Sequence, residues 1–385
     1  MNQHKDLHIV GAGPAGLAAA ITAASGGATV IVHEREKEVG HRFHGDFQGL
    51  ENWTSPTDII TELGSMGIEP GFDHFPHREQ VCFDPLGRRL VASSPDPLYY
   101  LVRRGAEPGT LDRGLLGQAL DLGVEVRFGD HVDRLPEGGV VATGPRVADA
   151  IAVGYLFETS ATNGSYVALD HRLAPGGYSY LLIQDGRGTL ASCMFEDFHR
   201  EAVYLERTLS FFTSTLDLQL ENQRRFSGFG NFELPLATVR DRLVTVGEAA
   251  GFQDSLWGFG LRYALTTGHM AARAFLAGSP QSYDRMWRRR FSSQMRTAAV
   301  NRFLFRIAGD RTLFWGPRPS RGQGRSAYLA TSPLRTHGVE SCTVPDDQKE
   351  GAEPSSSQGM RHGRVRLYLV PLSTPQPSGN GSVKP

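Results

Sequence analysis

The first 34 residues constrain the fold more than any other part of the chain. They read as a β-strand, a glycine-rich turn, an alanine-rich helix and a second β-strand that ends at Glu34. In the turn, Gly11 permits the sharp change of direction, Gly13 lacks the Cβ that would obstruct a pyrophosphate, and Gly16 lets the helix pack closely on the sheet. This layout predicts a unit that binds an adenine dinucleotide.

Two neighbouring features support this prediction. Pro14 suits the first turn of the helix, where its missing N–H is not needed, and a pyrophosphate would lie on the free N–H groups at the positive end of the helix dipole. Glu34 follows Gly11 at about the 20-residue spacing at which a carboxylate accepts hydrogen bonds from a ribose. We add Ala15, in the turn, and Arg35, beside Glu34, to the predicted cofactor-binding residues.

The same segment invites a second interpretation, because residues 7–32 carry no formally charged side chain and have the length of a membrane span. Five glycines and a proline divide this stretch into pieces of strand, helix and strand length. A spanning helix would not be interrupted in this way, and a secretory signal fits no better. The dinucleotide unit is therefore favoured.

Size and composition set wider limits. At 385 residues the chain exceeds the usual size of a single hydrophobic core, so two interleaved lobes are expected. The net charge of −1 gives no indication of nucleic-acid binding. Cys82, Cys193 and Cys342 are widely separated and match no zinc or redox motif, so we expect no metal and a reducing, cytoplasmic setting.

A second glycine-rich segment narrows the choice of cofactor. The stretch from 246 to 252 reads Val-Gly-Glu-Ala-Ala-Gly-Phe, and Gly-Phe-Gly-Leu follows at 258–261. This resembles the second flavin-binding signature of the p-hydroxybenzoate hydroxylase-like flavoproteins. The resemblance implies bound FAD, with a glutamate in place of the family's aspartate at the ribityl chain. It places cofactor-binding residues at Gly247, Glu248, Gly251, Gly258, Gly260 and Leu261.

Three further parts of the sequence fit this family. The stretch at 140–144 resembles its Ala-Thr-Gly turn near the adenosine, which implies contacts from Thr143 and Gly144. The stretch at 100–104 resembles its arginine strand and makes Arg104 a predicted flavin contact. Arg42 follows the second strand at the distance where such proteins place a basic residue over the cofactor, although an ordinary exposed arginine is the alternative.

Within that superfamily the chain resembles the geranylgeranyl reductase group, which saturates isoprenoid chains. The segment at 177–183 resembles that group's Tyr-x-Trp-x-Phe-Pro strand, with Tyr180 in place of the tryptophan and no proline. The resemblance covers roughly residues 5 to 310. The group's cysteine-containing loop after the second strand has no cysteine here.

The resemblance and the order of segments predict an α/β fold, in which a Rossmann-like FAD-binding domain is interleaved with a mainly antiparallel β substrate domain (α+β), followed by C-terminal helices and a disordered tail. The predicted domains are the FAD-binding domain at 1–75, 101–155 and 232–283, the substrate domain at 76–100 and 156–231, a basic helical region at 284–335 and the tail at 336–385.

Five residues are predicted to face the substrate. His44 and Asp46 lie in a glycine-flanked loop that the resemblance places at the reactive edge of the flavin, where either could deliver a proton to a carbon that receives hydride. Hydrogen bonding within the loop is the alternative role. Tyr178, Tyr180 and Trp257 are predicted to line an apolar substrate pocket, or else to pack in the core.

These features together predict an FAD-dependent oxidoreductase that reduces a carbon–carbon double bond of an isoprenoid-like or other apolar substrate by hydride transfer from reduced flavin. A flavin monooxygenase acting on an aromatic ring and a quinone-linked electron carrier remain alternatives, because the same fold supports them. A second nucleotide fingerprint is absent from the sequence, which leaves transiently bound NADPH or a reduced ferredoxin as the electron donor.

The stretch from 284 to 335 has a distinct composition. It contains twelve arginines and two aspartates, mixed with aromatic and aliphatic residues. Such a stretch fits either a solvated helical face or the surface of an anionic membrane, where an enzyme acting on lipids would find its substrate. Peripheral membrane contact through these residues is therefore one of two expectations.

Overall fold

The computed structural model describes residues 6–232, 234–235, 237–308 and 366–369. Within them the chain forms three β-sheets and six α-helices. The predicted tail at 336–385 lies outside the described residues except for Arg366–Leu369, which form a strand that the sequence did not predict. In the described part of the chain, no helix combines the length and the apolar character that a bilayer crossing requires.

The first sheet is the centre of the nucleotide lobe. Its strands are parallel except for the short strand at one edge, and its buried valines, leucines and isoleucines form one continuous core with the helices around it. In spatial order the strands are β15 (Val239–Arg240), β16 (Leu243–Thr245), β9 (Gly139–Val141), β1 (Asp6–Val10), β2 (Thr29–Glu34) and β8 (Glu125–Phe128).

Helices cover this sheet at short range because small residues face one another. The first helix, α1 (Pro14–Ser25), is buried over most of its length and packs against α3 (Leu111–Asp121) and α5 (Leu261–Leu276). A Cβ at Gly268 of α5 would lie only 2.1 Å from the carbonyl oxygen of Ala15, so the two helix backbones are in contact there. A short helix, α2 (Ile59–Ser65), begins at Asp58, whose carboxylate accepts hydrogen bonds from the first turn.

The second sheet forms the other lobe. Its neighbours pair antiparallel except β11 and β5, which are parallel. One face packs on α4 (Glu201–Leu216) around a second hydrophobic core. In spatial order the strands are β14 (Glu221–Gly230), β10 (Ala150–Glu158), β13 (Arg187–Met194), β12 (Tyr178–Gln184), β11 (Gly164–Ala168), β5 (Glu79–Phe83), β6 (Arg89–Ser93) and β17 (Arg366–Leu369).

A small antiparallel sheet joins the lobes. Its strands are β3 (Phe47–Glu51), β7 (Tyr99–Arg103) and β4 (His74–His77). The long final helix, α6 (Ser282–Ala308), packs against α5 with Tyr283, Trp287 and Phe291 buried.

The observed architecture confirms the predicted class, an α/β nucleotide domain interleaved with a mainly antiparallel sheet. One predicted boundary differs from the structure. The predicted FAD-binding segment at 101–155 extends into β10, which belongs to the second sheet from Ala150 onward. The reason is that Val153 and Phe157 pack into the second core rather than the first. The basic region is helical as far as Ala308, and 309–335 lies outside the described residues.

The close contact between α1 and α5 gives a stability prediction. Gly268→Ala should lower the free energy of unfolding by about 1–3 kcal/mol, because the added methyl meets the Ala15 carbonyl and the helices must separate. Gly117→Ala in α3 is the matched control, since a Cβ there meets nothing within 4 Å and alanine favours the helix by up to about 1 kcal/mol. Urea denaturation of both variants checks this, and equal stabilities would contradict the packing argument.

Candidate active site

The two glycine turns, which are far apart in the sequence, meet in space. At Gly11 the backbone is left-handed, with φ of 102°, and a Cβ there would lie 2.4 Å from the carbonyl oxygen of Ala142. A Cβ at Gly16 would lie 1.9 Å from the Gly11 oxygen. Gly247, also with positive φ, is in direct contact with the first turn, because its Cβ would come within 2.7 Å of the Ala15 Cβ.

Gly13 differs from its neighbours because its missing side chain faces open space. A Cβ built there meets no atom within 4 Å, and the residue lies at the start of α1, which has no side-chain cap. The first N–H groups of a helix need a partner, and an uncapped start beside a cavity offers them to an anion. This geometry fits a pyrophosphate.

Glu34, at the end of β2, is held in a fixed orientation. Its two carboxylate oxygens accept hydrogen bonds from the backbone N–H groups of Ala12, at 2.7 Å, and Glu36, at 2.9 Å. The acid therefore links the first turn to the loop after β2, at the cavity edge predicted for a ribose. The neighbouring Arg35 is mostly exposed and pairs with Glu36 at 2.8 Å.

A cavity of about 1910 Å³ extends from the first glycine turn across the face of the second sheet. A small-molecule site usually measures about 300–1,000 Å³, so this cavity has room for a dinucleotide and a substrate. On two strands of the second sheet, β5 and β12, alternate residues line it, as the two-residue period of a strand predicts. From β5 these are Gln80 and Cys82, and from β12 they are Tyr178, Tyr180 and Leu182.

The structure gathers most of the predicted site residues around this cavity. The residues that line it are Gly11, Gly13, Pro14, Ala15, Glu34, Arg35, Arg42, Asp46, Arg104, Thr143, Gly144, Tyr178, Tyr180, Glu248, Trp257, Gly258, Gly260 and Leu261. Three predicted glycines, Gly16, Gly247 and Gly251, lie behind its wall and shape the turns instead. His44 also lies outside the lining.

Arg42 reaches across the cavity between the two lobes. Its guanidinium donates a hydrogen bond to the carbonyl oxygen of Phe229 at 3.1 Å and lies 3.7 Å from the Glu248 carboxylate. Burial raises the pKa of Glu248, and the Arg42 charge opposes that rise. The pair brings one acceptor and one cation to the second glycine turn, which fits the contacts that the sequence predicts with a ribityl chain and a phosphate.

Arg104 lines the cavity but is almost fully buried, and its guanidinium is already strongly bonded. Its guanidinium donates to both oxygens of Asp112, at 2.8 and 2.9 Å, and to the Gln48 side-chain oxygen at 2.9 Å. It also stacks 4.0 Å from the centre of the Phe43 ring. The predicted flavin contact therefore comes from an arginine whose orientation is fixed by protein partners.

The two predicted proton donors occupy different environments. Asp46 is only 4% exposed and accepts hydrogen bonds from the His44 backbone N–H and the Gln48 side chain, both at 3.1 Å. Burial raises the pKa of Asp46 above its usual value, and its hydrogen bonds and Arg104 act in the opposite direction. The His44 ring is exposed, and its carbonyl oxygen accepts a bond from Arg224 at 2.6 Å. The geometry favours Asp46 over His44 as the group that faces a ligand.

Aromatic rings form part of the cavity wall. The Tyr178 hydroxyl donates to the Trp257 carbonyl oxygen, and the two rings meet edge to face at 5.8 Å. Tyr180 lies next to Tyr178, with their ring centres 6.4 Å apart. All three predicted aromatic residues therefore line one continuous apolar surface.

Sequence reasoning missed several lining residues. Gln48 joins Asp46 to Arg104, and Phe259 lies so close to Gly49 that a Cβ there would be 2.2 Å from the ring. Two sequence signals were available. Gln48 follows Asp46 by two residues, on the same side of an extended chain, and Phe259 lies between Gly258 and Gly260.

Two cysteines also line the cavity. Burial raises the pKa of both Cys82 and Cys193 to about 12, so both remain neutral thiols near pH 7. Neither thiol is suited to act as a nucleophile. Cys193 lies in β13 as a small, partly buried side chain.

Comparison with known proteins supports the flavin interpretation. Residues 6–47 match the family described as FAD binding domain. A digeranylgeranylglycerophospholipid reductase from Haloferax volcanii is 24% identical over 377 residues, covering 81% of this chain and 88% of the relative.

Solved structures share the fold. A geranylgeranyl bacteriochlorophyll reductase-like protein from Thermoplasma acidophilum superposes with a TM-score of 0.67 at 18% identity, over 80% of this chain and 89% of that protein. A flavin-dependent brominase superposes with a TM-score of 0.59, also at 18% identity, over 81% and 89%. The resemblance to the geranylgeranyl reductase group of FAD-dependent oxidoreductases is confirmed, and the fold extends to flavoenzymes of other activities.

The open space at Gly13 gives a prediction for cofactor binding. Gly13→Val should fold normally, because a Cβ at this position meets no protein atom within 4 Å, yet its affinity for FAD should fall by roughly 100-fold as the pyrophosphate loses its place. Flavin absorbance after reconstitution measures binding, and circular dichroism checks folding.

The matched control is Gly64→Val in α2, another glycine whose Cβ meets nothing within 4 Å but which lies outside the cavity. It should bind FAD as the wild type does. If Gly13→Val retained full FAD binding, the pyrophosphate would have to lie elsewhere.

Proposed function

We propose that this protein is an FAD-dependent reductase that saturates a carbon–carbon double bond of an isoprenoid-like, apolar substrate. The observation that carries the proposal is a buried acid, Asp46, at the edge of a cavity whose farther wall is apolar. The similarity to a digeranylgeranylglycerophospholipid reductase supports the substrate class.

The residues divide between holding the cofactor and shaping the reaction. Bound reduced flavin supplies a hydride to one carbon of the double bond. The turn at Gly13 would bring the backbone close to the dinucleotide, the turn at Gly247 would support it from behind the cavity wall, and Arg42 with Glu248 would hold the middle of the cofactor. This chain then has to orient the olefin, exclude water and supply a proton.

Asp46 is the proposed proton donor. Hydride addition to one olefinic carbon leaves the other carbon to take a proton, so reduction of one double bond consumes one hydride and one proton. The raised pKa of Asp46 keeps a share of the acid protonated closer to neutral pH than an exposed aspartate would be. Its hydrogen bonds to the His44 N–H and to Gln48 fix the direction of the carboxyl.

Apolar side chains provide the olefin's surroundings. Tyr180, Leu182 and Cys82 line the part of the cavity that the second sheet forms. A hydrocarbon substrate needs no hydrogen-bond partner from these side chains. The polar groups of a polar substrate would be left without partners there. The proposal includes NADPH or a reduced ferredoxin as the electron donor that re-reduces the flavin.

The decisive experiment uses the FAD-loaded protein, reduced chemically without oxygen and mixed with a geranylgeranyl-bearing lipid. Mass spectrometry should show addition of one hydrogen molecule for each double bond reduced. Hydroxylation of an aromatic acceptor with matching oxygen consumption would instead identify a monooxygenase. Flavin reoxidation by a quinone alone, with no turnover of any olefin, would identify an electron carrier.

The assignment of Asp46 predicts a change in the pH dependence. In the wild type, olefin reduction should slow as pH rises through the raised pKa of Asp46, because only the protonated acid donates. Asp46→Asn should lower the single-turnover rate by about 100-fold or more and remove that alkaline limb. Stopped-flow reoxidation of the flavin by substrate, measured across pH, checks both effects.

Stability measurements provide the control for this variant. Since burial raises the folded-state pKa of Asp46, its favourable contribution to folding is complete at acidic pH and is lost as pH rises through that pKa. Asp46→Asn keeps one acceptor oxygen but loses one of the two hydrogen bonds that the carboxyl accepts, so it should lower the free energy of unfolding by only about 1 kcal/mol at neutral pH. His44→Ala should keep the wild-type rate and pH profile. A slow His44 variant beside an unaffected Asp46 variant would reverse the assignment.

A further inference from the structure

The last two turns of α6 carry an apolar stripe on their solvent side. Val300, Phe303, Leu304 and Ile307 are 55%, 61%, 46% and 68% exposed. Their spacing of three and four residues places them side by side on one face of the helix. The opposite side of α6 is the one that packs on the protein.

The arginines earlier in α6 lie on this same face. Arg285, Arg289 and Arg296 are exposed, and no ion pair or hydrogen bond to them is found within the described residues. At 3.6 residues per turn, these arginines and the four apolar residues fall within an arc of about 100°. We name this surface the α6 stripe: Arg285, Arg289, Arg296, Val300, Phe303, Leu304 and Ile307.

Apart from Arg302, the other charged residues of α6 form ion pairs. Asp284, the one acid of this helix, binds Arg288 at 2.6 Å, Arg290 binds Glu62 at 2.7 Å, and Arg306 binds Glu196 at 2.9 Å. The arginines of the α6 stripe therefore contribute a net positive charge to a surface that has no acid of its own on the helix.

We propose that the α6 stripe docks this protein onto the surface of an anionic lipid bilayer. Cations and apolar side chains in one stripe match the two layers of such a surface, the charged headgroups and the acyl boundary beneath them. A nucleic acid would use the arginines but would leave the four apolar side chains in water.

The α6 stripe lies near the cavity, which gives membrane docking a functional reason. On the inner side of the same helix turns, the Arg302 guanidinium lies 3.3 Å from the centre of the Phe195 ring and donates to the Gly176 carbonyl oxygen. Phe195 lines the cavity. The membrane-facing end of α6 thus adjoins the cavity wall, so a docked molecule holds its cavity close to the bilayer.

Vesicle flotation with the full-length, FAD-saturated protein tests the proposal. Binding should be weak on phosphatidylcholine vesicles and strong when phosphatidylglycerol is mixed in. Phe303→Ser with Ile307→Ser should weaken binding to the anionic vesicles by roughly tenfold for each side chain. Arg289→Gln with Arg296→Gln should weaken it by about fivefold for each arginine, and added salt should reduce that difference.

The matched control is Leu86→Ser, which removes a leucine that is 64% exposed in the turn between β5 and β6. It should bind as the wild type does. Equal binding to neutral and anionic vesicles, or binding that depends on the arginines but not on Phe303 and Ile307, would overturn the proposal. No substrate is present, so the outcome does not depend on the proposed reductase activity.

A fluorescent probe shows whether a bilayer or another protein segment covers the α6 stripe. Ile307→Cys in a Cys342→Ser background, labelled with an environment-sensitive dye, should shift to the blue only when anionic vesicles are added. Cys82 and Cys193 should label poorly, because burial raises the pKa of each to about 12. A blue-shifted dye without vesicles would show that another part of the chain or a second copy covers the stripe, and would refute the proposal.

Discussion

The rest of the structure depends on the close approach of backbones around Ala15. Gly247 contacts its Cβ, Gly268 approaches its carbonyl oxygen, and Gly16 packs on the Gly11 oxygen one residue later. Each of these positions has no room for a side chain, and each glycine costs conformational entropy on folding. These contacts fix the distance between the two glycine turns. A ligand that touches both turns then needs no rearrangement of the protein.

The nucleotide lobe could be predicted from the sequence because its constraints are local. Gly11 and Gly16 are required by sterics between residues a few positions apart, and Glu34 follows from the length of one helix and one strand. The small sheet of β3, β7 and β4 gave no such signal, since Phe47–Glu51 pairs with Tyr99–Arg103 about fifty positions away. Likewise, the sheet that β10 joins depends on which hydrophobic core Val153 and Phe157 pack into. Only the tertiary structure determines that core.

The candidate acid shows where the sequence stops being informative. His44 and Asp46 are two residues apart, and an extended chain would point both the same way. The structure separates them through long-range bonds. Arg224 from β14 binds the His44 carbonyl, and the Arg104 N–H donates to the Asp46 carbonyl at 3.0 Å. The sequence singled out this loop, but the choice between its two titratable groups as the proposed proton donor depends on residues about 60 and 180 positions away.

The orientation of α6 follows from contacts at both of its ends. Near its start, Arg290 binds Glu62, and the same carboxylate binds the buried Arg262 of α5. Near its end, Arg302 is held against Phe195 of the second lobe. Rotating the helix to bury Phe303 and Ile307 would expose Trp287 and Phe291 and break both arginine contacts. Exposure of the apolar residues is therefore a consequence of how α6 ties the two lobes together, and a bilayer can cover them without disturbing that connection.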